Sequence, residues 1–192
     1  MGETCLLLDS AAPDLAGEIR RLVREIVFVA SDLGSGKQVF QGGSTFYLWG
    51  ALFLNARRHP DRVTMAEGLT HEAAHSLLLG YTLGAPLVEN DPTERFPSPL
   101  RDDLRPMDGI VHATYVLARM HYCIERLLAS GALTNAERVQ LEAAKKQRSA
   151  EYFDGLNVIA SHARFTEPGT AIFAGAQTYM SQAYAASRPF SH

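Results

Sequence analysis

Cysteine is scarce in this chain: Cys5 and Cys123 are the two among 192 residues. Two cysteines make no disulfide framework, and Cys123, in an apolar helical stretch, reads as a small buried hydrophobe. Long apolar runs are also missing, since nothing approaches the roughly 20 residues of a membrane span. The apolar part of MGETCLLLDSAAPD is too short for a signal peptide, and Leu6 stands where the myristoylation pattern needs Ser or Thr. These absences predict a soluble, cytoplasmic protein with no membrane partner. A strong charge of either sign is lacking too. The formal net charge of -3 and pI near 6.2 give no broad attraction to nucleic acid. The basic cluster Arg20, Arg21 and Arg24 has acids on either side and reads as a solvated helix face.

Against those absences, 46% hydrophobic and 20% charged residues form an ordinary globular balance. The length suits one domain over residues 1–192, burying roughly 70% of its unfolded surface. Apolar positions at helical spacing (Leu15, Ile19, Leu22, Val23, Ile26, Val27) predict a helix from Pro13 to Asp32, with Ser10 as its cap. DLGSGK, Asp32 to Lys37, reads as a loop without phosphate-loop spacing. Gly42-Gly43 opens STFYLWGALFLN, Ser44 to Asn55, which is either a strand pair broken at Gly50 or a buried helix; periodicity does not choose.

Further helices are expected from Asp61 to Leu83, from Met107 to Ser130, from Thr134 to about Arg164 and from Thr170 to Ala186. Gly84 to Pro106 is a long proline-rich loop. The expected fold is therefore mainly α, a single-domain helical fold with room for a short β-hairpin or small sheet ahead of the central helix. Two amphipathic segments, Pro13 to Asp32 and Thr134 to Arg164, are surfaces a homodimer could use, although packing within one chain is the simpler expectation.

The chemistry concentrates in His71-Glu72-Ala73-Ala74-His75, an HExxH sequence. Residues i and i+4 of a helix lie about 40° apart, so His71 and His75 can converge on one cation. Two histidines and a glutamate in a helix that continues Ser76-Leu77-Leu78-Leu79 are costly to bury unless paired or bound to metal. A third ligand is needed. Leu78 and Tyr81 occupy the glycine and last histidine positions of a metzincin, and Glu89 and Glu94 lie in the proline-rich loop. His112, among Ile110, Val111 and Val116, is the better candidate. His121 is nine residues on and about 180° away around that helix. Arg119 shares the His112 face and could clamp a dicarboxylate, with Arg101 and Arg105 as competitors on the loop.

THEAAHSLLL, FPSPLRDDLRPMDG and GIVHATYVLAR together resemble the HExxH-type iron/2-oxoglutarate-dependent peptide β-hydroxylases. The motif-bearing part runs over about residues 45–130. The resemblance implies Fe(II) held by His71, His75 and His112, with 2-oxoglutarate as cosubstrate and an arginine on its far carboxylate. Glu72 then either ligates iron or supports the site, and helical geometry favours support because adjacent residues diverge by about 100°. The implied reaction hydroxylates a β-carbon in a ribosomally made peptide. Substrate capture falls to Gly84 to Pro106 or to Thr45 to Trp49. The alternative is a zinc metallopeptidase, with Zn(II), Glu72 as general base and Thr45 to Trp49 as the substrate-aligning edge strand. A third reading is a metal-stabilised binding module without catalysis.

Overall fold

The helix that carries the motif begins where its capping residues dictate. Asp61 Oδ1 accepts from the backbone N–H groups of Val63 (3.0 Å) and Thr64 (2.8 Å), and the Thr64 hydroxyl receives the Asp61 N–H in return (3.4 Å). This reciprocal box satisfies N–H groups that have no partner within a helix. The helix ends at Leu83 and Gly84, both in left-handed backbone at φ 49° and 81°, a conformation that reverses the chain and stops helix growth.

The computed structural model describes residues 1–30 and 40–187. The element order is α1 (Gly2–Ala11), α2 (Pro13–Leu22), β1 (Glu25–Val29), β2 (Gly42–Ser44), a 3-10 turn (Phe46–Leu48), β3 (Ala51–Asn55), α3 (Arg62–Thr82), α4 (Met107–Ala129), α5 (Asn135–His162) and α6 (Glu167–Ser187). The protein is mainly α with one small sheet ahead of the HExxH helix, as the sequence predicts. The DLGSGK segment lies outside the described residues.

Two expectations near the N-terminus need correction. The helix expected over Pro13 to Asp32 stops at Leu22, and Glu25–Val29 is a strand. Its Ile-Val-Phe-Val run suits a pleated surface, and parallel pairing with β3, from Glu25↔Ala51 to Val29↔Asn55, decides the outcome. Ser10 does not cap that helix. It lies in α1, its hydroxyl donates to the Leu7 carbonyl (3.0 Å), and α2 opens instead with Pro13 at its first turn.

The segment Ser44 to Asn55, left open between a strand pair broken at Gly50 and a buried helix, is neither: Ala51–Asn55 is a strand, but Phe46–Leu48 ahead of Gly50 is a 3-10 turn. The sheet order is β1-β3-β2, with β2 antiparallel to β3. Gly50, at φ +90°, turns the chain from the 3-10 turn into β3. The indole of Trp49 leans on α3 at Gly80, where a Cβ would come within 2.6 Å of the ring.

Two compact units are distinguished. The first comprises Met1–Gly84 with Arg119–Gln147, and the second Ala85–Ala118 with Arg148–His192. The core of the first gathers Leu8 and Leu15 from α1 and α2, Leu52 and Leu54 from β3, Leu69 from α3, and Ile124 and Leu127 from α4. In the second, Leu87, Met107, Leu117, Tyr152 and Phe173 are fully buried. There the Gly84 to Pro106 loop is tied by backbone bonds: Glu89 N–H donates to Arg164 (2.6 Å) and Thr166 N–H to Leu87 (3.0 Å). The long loop is therefore anchored to the start of α6 despite having no helix of its own.

Candidate metal centre

All three motif side chains belong to α3, in the first unit. The His71 and His75 ring centres are 5.0 Å apart, with their planes at 65°. Two imidazoles bound side by side to one first-row cation, at about 2.1 Å from metal to nitrogen and a ligand angle of about 100°, would have ring centres about 5 Å apart. The observed ring spacing equals that value. His71 Nδ1 lies 3.4 Å from the Met120 sulfur. With that nitrogen donating, the lone pair sits on Nε2, which faces Glu72 Oε1 at 3.9 Å.

Glu72 is buried, at 5% exposure, and this decides its chemistry. Burial pushes its carboxyl up to about 7, opposed by the Ser44 hydroxyl, which donates to Oε2 at 3.1 Å. Near neutral pH the group is poised between acid and carboxylate. A dication nearby would favour the carboxylate.

His112 is in the second unit, on the first half of α4. Its Nε2 lies 3.6 Å from Asp108 Oδ2, one turn earlier. Burial depresses its proton affinity, and the Asp108 charge only partly restores it, so the ring is held neutral, the form that ligates metal. His121 belongs to the first unit and is 2% exposed. Burial lowers its proton affinity too, against the pull of Glu125.

Arg119 joins α4 to α2 through a salt bridge from its Nη2 to Glu18 Oε1. Its Nε is buried with no hydrogen-bond partner among the described residues. Arg101 and Arg105 both reach Asp103, each at 3.2 Å, on the loop of the second unit. Among the described residues, no three His, Cys, Asp or Glu side chains cluster as a ready-made metal cage. The structure brings His71, Glu72 and His75 together, while His112, Arg101 and Arg105 belong to the other unit.

The edge-strand expectation for Thr45 to Trp49 is not met. Phe46–Leu48 is a 3-10 turn, and its aromatics pack edge-to-face, Phe46 on Tyr47 (6.4 Å) and on Trp49 (5.9 Å). Closing the turn onto Gly80 takes these residues out of the ladder. The strand beside the motif helix is β2. Its Ser44, which donates to Glu72, and Gly42, whose lack of a side chain leaves Glu72 room, were missed by sequence reasoning. The sole signal in the sequence is Gly42-Gly43 itself, which announces a close backbone approach without saying to what.

Comparison with family models finds no match for this chain, and no curated protein is similar enough to count as a relative.

Proposed function

We propose that the chain is an Fe(II)/2-oxoglutarate-dependent oxygenase that hydroxylates a β-carbon within a ribosomally made peptide. The observation that carries this reading is the pair of rings of His71 and His75, 5.0 Å apart beside a buried carboxyl. The resemblance of SPLRDDLRPMDGIVHATYVLAR to the peptide hydroxylases supplies the cosubstrate and the substrate class. His71 and His75 would hold the metal, and His112, already neutral, is assigned as third ligand on that resemblance. When bound, iron with 2-oxoglutarate and dioxygen supplies the oxidising power that replaces C–H by C–OH, releasing succinate and carbon dioxide. Glu72 orients what lies beside the histidines, and Arg119 is the first choice for the far carboxylate.

Anaerobic addition of Fe(II) and then 2-oxoglutarate tests the proposal. A visible charge-transfer band should need both components. It should vanish in His75→Ala and weaken strongly in His112→Ala, with each variant still folded by circular dichroism. A folded His112→Ala that keeps the full band would remove His112 from the ligand set.

One observation favours a second reading, zinc peptide hydrolysis. A buried carboxyl beside two histidines is placed as a general base would be. In that case Zn(II) would support peptide cleavage that is indifferent to 2-oxoglutarate and lost in Glu72→Gln. Succinate formation coupled to peptide oxidation would rule it out.

A further inference from the structure

We propose that β2 is the positioning element for Glu72, with Ser44 and Gly42 holding the carboxyl so that Oε1 faces His71. This deepens the metal-site reading above and rests on it. Successive strand residues point to opposite faces, so Gly42 and Ser44 share one face and Gly43 the other. The contacts agree with that alternation. A Cβ at Gly43 would meet the Phe40 ring at 3.4 Å, whereas a Cβ at Gly42 would meet Glu72 of α3 and the Ser44 hydroxyl donates to that same residue.

The two positions act differently on one group. Ser44 Oγ donates to Oε2 at 3.1 Å, which leaves Oε1 as the oxygen nearer His71 Nε2, at 3.9 Å. Gly42 contributes by having no side chain. A Cβ there would lie 2.7 Å from Oε1, 3.2 Å from the carboxyl carbon and 3.0 Å from the Phe53 carbonyl oxygen. Gly42 is not among the glycines with positive φ, so space rather than backbone shape demands glycine. The hydroxyl fixes one oxygen, and the missing side chain leaves room for the other. Both residues act through Glu72, and so both are positioning residues.

The test uses the full chain with Co(II) as probe, read by its visible absorption. Ser44→Ala should weaken Co(II) binding about tenfold and shift the band, the size expected for losing an outer-shell partner of a metal site. Ser44→Thr should restore both. In a Glu72→Ala background, Ser44→Ala should change neither. Wild-type affinity and spectrum in Ser44→Ala, or an equal loss in both backgrounds, would overturn the proposal. A second cycle needs no metal. Gly42→Ala should lower the melting temperature, and by less when Glu72 is alanine, because the residual clash is then with Phe53 alone. Should the wild-type chain take up no Co(II), the metal reading fails on its own, and the Gly42 cycle still decides whether β2 positions Glu72. Equal losses in both backgrounds would say that it does not.

Discussion

Glu72 shows how much one residue's surroundings can reverse its usual behaviour. Its folded carboxyl titrates at about 7 against an ordinary 4.5 because burial disfavours the charge. The folded protein therefore binds this proton more tightly than the unfolded chain does. That contribution is fully present below pH 4.5 and is lost as pH rises through 7. Glu72→Gln mimics the protonated form and keeps an acceptor for Ser44. In urea titrations with EDTA it should match wild type near pH 4 and be more stable at pH 8, by up to about 3 kcal/mol. Equal stability at both pH values would show that the carboxyl is solvated. Arg119 poses the other single-residue question, because Glu18 already occupies its guanidinium. If Arg119 grips the cosubstrate, Glu18→Gln removes a competitor. KM for 2-oxoglutarate should then fall several-fold with kcat unchanged, and an unmoved KM would transfer the role to Arg101 or Arg105.

Among the elements, the helices were largely legible because their ends carry local chemistry. Asp61 and Thr134 both cap helices that the sequence announces, and the Asp61 box needs only residues three apart. β1 was not legible: Val23, Ile26 and Val27 fit helical spacing as well as a strand, and pairing with β3 about 25 residues later chose between them. The same limit applies to the site. His71 and His75 are visible as a motif, but the Ser44 contact to Glu72 spans 28 residues and leaves no local trace. At the start of α5, Glu137 accepts from the Thr134 N–H (2.8 Å) and from Arg62 Nε (2.6 Å), which joins α5 to α3. The Arg62 bond first, and the Thr134 backbone next, hold the Glu137 carboxyl down at about 2. A lowered acid stabilises the fold above its unfolded value and loses that contribution as pH falls through the folded one. Glu137→Gln should therefore cost about 1 kcal/mol at pH 6. The difference from wild type should close as pH approaches 2, and a constant difference in melting temperature would contradict this account.

At the scale of the whole molecule, the two compact units are not two lengths of sequence. α4 gives residues through Ala118 to one and from Arg119 to the other, and α5 divides likewise at Gln147 and Arg148. A break in α4 should therefore be felt by both. Ala118 is buried, and Ala118→Pro should cost about 3 kcal/mol or more through a lost helix bond and a ring clash. Hydrogen exchange should then quicken both around Leu69 and around Phe173; faster exchange in one region alone would mean that the units open independently. No helix among the described residues is long and apolar enough to cross a membrane. The contact between Trp49 and Gly80 also has a practical consequence. Trp49 is the one tryptophan in the chain, and it rests on the helix that carries both motif histidines. Its emission is a built-in optical gauge of that helix, readable without any label during metal uptake or unfolding.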